Sequence, residues 1–170
     1  MAPARDDVVC AIGVKSLSNA LWSSLDSRNQ VALGVLANFE LENRPLYITT
    51  GLQVSGDVGA VGGSTNAVTD LSVGLKLMKT LRAFCPYIRA GIASVGASIE
   101  TDSSGNDDDQ PFGYDIGYDI SGGALFRIGG HFVLGVDLRY LGGTDIDLFA
   151  LTGDADSVTA TALIGYSRGN

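Results

Sequence analysis

At 170 residues the chain is long enough for one domain with its own core. Its 45% hydrophobic content and 23 glycines exclude the polar composition of a disordered chain, and a net charge of −8 excludes a basic nucleic-acid binder. No apolar run approaches the ~18 residues of a spanning helix, and the only cysteines, Cys10 and Cys85, make neither a disulfide framework nor a metal-ligand spacing.

Eight segments alternate between large apolar residues and small or charged ones, the period-two signature of a β-strand with two unlike faces. The first, residues 8–16, sets Val8, Cys10, Ile12 and Val14 against Ala11, Gly13 and Lys15. Residues 31–41, 46–55 and 69–78 repeat the pattern, with Leu33 against Gly34, Leu52 against Gln53, and Leu71 against Asp70. The fifth segment, residues 85–99, keeps phase through Ile92, then blurs across Val95-Gly96-Ala97-Ser98-Ile99, which points to a bulge. Residues 114–127, 131–140 and 158–167 complete the set; the clearest is His131 to Tyr140, whose even positions are all large and apolar. Strands at this spacing predict an all-β, eight-stranded, antiparallel up-and-down barrel occupying the whole chain, residues 1–170, as one domain.

The connections alternate as well. Residues 42–45, 79–84 and 128–130 are short, whereas 17–30, 56–68, 101–113 and 141–157 are long. In a meander this places tight turns and both termini at one end and four extended loops at the other, as in transmembrane barrels. The N-terminal Met1-Ala-Pro-Ala-Arg-Asp-Asp has no apolar h-region, so the sequence as it stands is expected to carry no signal peptide.

Every charged residue within a strand falls in the non-apolar phase: Glu40, Asp70, Asp115, Asp119 and Asp137, with Lys15, Lys76, Arg89, Arg127 and Arg139. A soluble, lipocalin-like barrel binding an apolar ligand would turn these to water. A membrane barrel would turn them inward. An eight-stranded barrel is just wide enough for side chains to fill. The Leu, Ile, Val and Phe phase is too bulky to converge there, while the charged phase is diluted by Gly, Ala, Ser and Thr. The apolar face is therefore expected to look outward to a lipid bilayer. The ten charges are expected to pair in a plugged, non-conducting lumen, because isolated buried charges are too costly. Phe39, Phe84, Phe126, Phe132 and Tyr166 near the short turns, and Tyr114, Tyr118 and Tyr140 near the loops, resemble two interfacial girdles.

With these strands, the Pro86-Tyr87-Ile88-Arg89-Ala90-Gly91-Ile92 segment and the closing Ala162-Leu163-Ile164-Gly165-Tyr166, the chain resembles small outer-membrane barrels of the OmpA, OmpX and opacity type. The resemblance implies a monomeric transmembrane barrel in a bacterial-type outer membrane, with a structural or surface-recognition role and no cofactor.

The long loops hold Asp26, Asp57, Glu100, Asp102, Asp107, Asp108, Asp109, Asp145, Asp147, Asp154 and Asp156 against Arg28 alone. The plain reading of such a crown is solvation. The sharper one is divalent-cation or other ligand binding, with Asp107, Asp108 and Asp109, or Asp154 and Asp156, as candidates, although neither group has full calcium-loop spacing. His131, the only histidine, keeps a lipid-modifying enzyme in view. No serine and carboxylate accompany it in a recognisable motif, so an interface or lumen position is expected. Gly62-Gly63 and Gly142-Gly143 precede no helix and make no phosphate loop. Cys10 and Cys85 are expected on opposite walls as small apolar fillers, and Trp22 as a loop anchor at the outer interface.

Overall fold

Alternation gives each strand one face for a crowded centre and one for a different surrounding, and closure leaves no unpaired edge. In the computed structural model, which describes residues 6–18, 29–41, 44–57, 65–100, 112–129, 131–148 and 151–168, this is how the strands pair. β1 (Asp6–Leu17), β2 (Asn29–Glu40), β3 (Leu46–Gly56), β4 (Thr65–Met78), β5 (Phe84–Glu100), β6 (Phe112–Ile128) and β7 (Phe132–Gly142) run up and down in sequence order. β10 (Ser157–Arg168) closes the barrel by pairing antiparallel with both β7 and β1. Between β7 and β10, β8 (Asp145–Leu148) and β9 (Leu151–Asp154) form a separate two-stranded hairpin.

Two expectations change. The connection over residues 141–157, read as an extended loop, contains the β8–β9 hairpin; its strands are four residues each, too short for alternation to stand out. The bulge expected at Val95–Ile99 is absent, since β5 keeps unbroken register with β4 and β6 through this stretch. The phase blurred because Val95 and Ala97 point inward beside Leu17, Val68 and Leu141, forming an apolar cluster at the loop end of the lumen.

Sidedness is decided on β7. Val136 and Leu138 are each 59% exposed on the outer wall, while Asp137 and Arg139 are 9% and 8% exposed within. The lipocalin-like arrangement, apolar side chains inward, is overturned: Leu33, Leu71, Ile92, Ile120 and Ile164 all lie exposed on the outside. Along β7 the outer apolar run from Phe132 to Tyr140 covers about 26 Å of strand. At a tilt of ~40° this is about 20 Å along the axis, close to the ~25 Å band of membrane barrels. Aromatic rings mark both rims. Phe84 and Phe126 meet at 5.1 Å near the short turns, and Tyr118 and Tyr140 at 6.2 Å near the loops.

Small residues let the walls approach the filled centre. Gly91 of β5 faces Gly74 of β4, and a Cβ on Gly91 would lie 2.8 Å from Gly74 Cα and 2.9 Å from Asp119 Oδ1. Gly91→Val is expected to lower the unfolding free energy in micelles by about 1–3 kcal/mol through overpacking. Gly122→Val, whose new Cβ meets nothing closer than 3.7 Å, should stay within about 0.5 kcal/mol. Urea titrations of the two variants check the contrast.

Candidate functional site: the lumen and the loop-side rim

Inward positions from all eight strands converge on one axis, and side chains fill it in layers. Near the short turns lie Val9, Tyr47, Met78, Cys85, Leu125, Val133 and Leu163, packed together. Four polar contacts cross this layer. The Tyr87 hydroxyl donates to Asp137 Oδ1 at 2.5 Å. Lys76 Nζ stands 3.8 Å above the Tyr87 ring and donates to Asn38 Oδ1 at 3.3 Å. Arg127 pairs with Asp7 at 3.4 Å.

The middle layer is a chain of alternating charge from five strands. Lys15 of β1 reaches Asp70 of β4 at 3.4 Å. Arg139 of β7 donates to Asp70 Oδ1 at 2.5 Å through Nη1, and to Asp119 Oδ2 of β6 at 3.2 Å through Nε. Arg89 of β5 pairs with the same Asp119 oxygen. Gln53 of β3 accepts a further hydrogen bond from Arg139 at 3.1 Å. Each carboxylate has cations on two sides and all five members are nearly wholly buried, which offsets part of the cost of holding ions out of water. The space left around Gln53, Asp70, Arg89 and Arg139 is about 20 Å³, room for about one water molecule. Above it the apolar cluster of Leu17, Val68, Ala93, Val95, Ala97, Leu141 and Ala155 closes the loop end.

Eight of the ten charges singled out in the sequence, Lys15, Asp70, Lys76, Arg89, Asp119, Arg127, Asp137 and Arg139, enter these contacts. Glu40 and Asp115 are half-buried, nearer the two mouths; Asp115 Oδ1 accepts the Ile116 amide at 2.7 Å. Sequence reading missed Asp7, Gln53, Asn38 and Tyr87 as members. The signal for Asp7 was present, because it continues the inward phase of Val9 and Ala11 by one more step.

At the loop-side rim Asp156 closes the base of the β8–β9 hairpin. Its Oδ1 accepts from the Thr144 amide and hydroxyl, each at 3.2 Å, and its Oδ2 from the Tyr140 hydroxyl at 3.3 Å. The Ser18 amide and hydroxyl both donate to the Asp156 carbonyl at 2.9 Å, and the Ala155 amide donates to the Thr144 hydroxyl at 3.0 Å. Asp156→Ala is expected to speed hydrogen exchange at the Thr144 amide about tenfold or more, from the loss of a hydrogen bond to a charged group, while β3 to β5 amides stay protected. Exchange read by NMR or mass spectrometry checks it.

Of the other acids considered for cation binding, Asp107, Asp108 and Asp109 lie outside the described residues, as do the Asp154 side chain and Trp22. Among the described residues no three His, Cys, Asp or Glu side chains gather as a metal site. His131 is exposed at the short-turn rim, its ring stacked on Tyr166 at 5.4 Å and its Nδ1 3.4 Å from the Ser167 carbonyl. Cys10 is exposed on the outer wall and Cys85 buried in the lumen, both free.

No protein-family model matches the sequence, and no curated protein is similar to it. Solved structures are similar in fold. Neisserial surface protein A superposes with a TM-score of 0.69 at 12% identity, covering 96% of this chain and 95% of that one. Ail, the attachment invasion locus protein of Yersinia pestis, solved with the heparin analogue sucrose octasulfate, gives 0.65 at 12% identity, covering 97% and 99%. The N-terminal β-barrel domain of Pseudomonas aeruginosa OprF gives 0.58 at 14% identity, covering 98% and 100%. The architecture is that of the small eight-stranded transmembrane β-barrels.

Proposed function

We propose that this chain is an integral outer-membrane barrel that works as a rigid, non-conducting scaffold, monomeric in the bilayer, and presents an acidic recognition surface at its loop end. The observation that carries the reading is the opposition of the two wall faces: exposed aliphatic side chains outside, and inside a cross-lumen chain of ion pairs beside a cavity of about 20 Å³. Such a wall suits acyl chains and such a centre leaves no path for ions. The reading assigns the chain no catalytic role; His131 serves as an interface residue against Tyr166.

Charge narrows what the loop end recognises. Ail was solved with a polyanion. The long connections here carry ten acids against one arginine, so a cationic partner, or divalent cations shared with a partner, fits this chain better than a polyanionic sugar. Calorimetric heat on adding millimolar calcium, lost when Asp107, Asp108 and Asp109 are changed to Asn, would support the cation form.

Refolding into detergent micelles tests the whole reading. The unboiled protein is expected to migrate faster on a gel than the boiled one, and planar bilayers holding it should show no steady current. A chain that stays folded and soluble without detergent, or one that conducts steadily, sinks the proposal.

A further inference from the structure

The short-turn rim carries exposed cations that no contact in the lumen explains. Arg44 lies in the β2–β3 turn, and Lys79 and Arg82 in the β4–β5 turn. The Met78 amide donates to the Pro45 carbonyl at 2.9 Å, which holds the two turns side by side. Among the described residues none of the three cations enters an ion pair. Between the turns an open groove of about 500 Å³ runs down the outer wall, walled by Pro45, Leu77, Pro86 and Ile88, with Lys79 at its mouth. Arg82 adds a second, independent sign. It is the one non-glycine residue among those described with positive φ, at 58°, a conformation that glycine adopts without strain and a side chain does not. A strained position occupied by a charged side chain points to a use for that side chain.

We propose that this rim binds an anionic phospholipid, its phosphate headgroup against Lys79, Arg82 and Arg44 and an acyl chain in the groove. The inference rests on the membrane reading above. A free phosphate would leave the apolar walls uncovered. A soluble acidic peptide would have to enter the lipid-facing band where Leu77 and Ile88 stand. Only an occupant with an anionic head and a hydrocarbon tail satisfies both halves. The short-turn end also faces the leaflet opposite the acidic loops, so the two ends of the barrel are matched to different surroundings.

Electron spin resonance of the full chain in bilayers, with spin-labelled phosphatidylglycerol or phosphatidylcholine, tests it. Immobilised phosphatidylglycerol is expected to exceed phosphatidylcholine by about fivefold, the effect of about one cation at an anionic surface. The variant Arg44→Gln, Lys79→Gln and Arg82→Gly is expected to bring the ratio to one while keeping the gel shift of the folded barrel. Arg82→Gly alone should lower the ratio without lowering stability, which a purely structural turn residue would not do. Equal immobilisation of the two lipids, or a preference that survives the triple change, overturns the proposal. So does a preference removed by millimolar inorganic phosphate, which marks a free-anion site, or one that vanishes on diluting the protein in the bilayer, which marks a second copy as the occupant. Absence of any immobilised component with either lipid would overturn the membrane reading itself, and the lipid site with it.

Discussion

Arg139→Ala is expected to lower the unfolding free energy of the refolded barrel by about 3–5 kcal/mol. Among the described residues Arg139 is the only cation that touches two carboxylates of the central chain, Asp70 and Asp119, and it also holds Gln53. Truncation leaves both carboxylates in the lumen, each 1% exposed, with one cation apiece, Lys15 and Arg89. The cost is that of charge left without its partner rather than the net worth of the bridge. Neutralising the whole set separates the two. Arg139→Met combined with Asp70→Asn, Asp119→Asn, Lys15→Met and Arg89→Met should recover most of the loss, because a buried ionic set is itself worth little against neutral groups of similar size. Urea unfolding followed by the gel shift measures both variants. A loss under 1 kcal/mol for Arg139→Ala would mean that the ionic chain does not hold the lumen together, and that the apolar layers on either side of it do.

The face of the mid-strand residues was legible in the sequence, and their depth was not. Val136 and Leu138 against Asp137 and Arg139 could be sorted because a closed barrel imposes two environments at a period of two residues. Pairing across the lumen has no such period. Lys15 lies 55 residues from Asp70, and Arg139 lies 69 from it; they meet because β1, β4 and β7 are staggered around one axis, and stagger is set by the shear of the barrel. The rule that apolar residues point outward also fails at both ends of the lumen. Leu17, Val68, Val95 and Leu141 turn inward at the loop end, and Val9, Leu125, Val133 and Leu163 near the short turns. Hydrocarbon fills a dry, narrow space as well as it meets lipid. The same ambiguity made Val95 and Ala97 look like a bulge. The aromatic rims were more readable, since Phe84, Phe126 and Tyr140 sit at or near strand ends in the outward phase and Tyr118 lies level with the end of β7, opposite Gly142.

Val136→Arg is the change that weighs the outer wall directly. Val136 lies midway along β7, 59% exposed, with no charged neighbour on its face. If that face meets hydrocarbon, an arginine there is expected to cost about 2–4 kcal/mol in a bilayer or micelle, the depth-dependent cost of a cation near the midplane. On a wall that met water the same substitution would stay within about 0.5 kcal/mol. Depth supplies the control. Phe132→Arg, four residues nearer the short-turn rim on the same face, removes a larger apolar side chain. It should nevertheless cost less from the charge itself, about 0–1 kcal/mol for a cation at the interface. To cancel the difference in size, each arginine variant is compared with the alanine variant at the same position. The excess of arginine over alanine should be large at Val136 and small at Phe132. A packing defect has no reason to follow that order, because both side chains are well exposed and neither touches the lumen. An excess equal at the two positions, or absent at Val136, would remove the lipid from the outer wall and with it the reason for the ions inside.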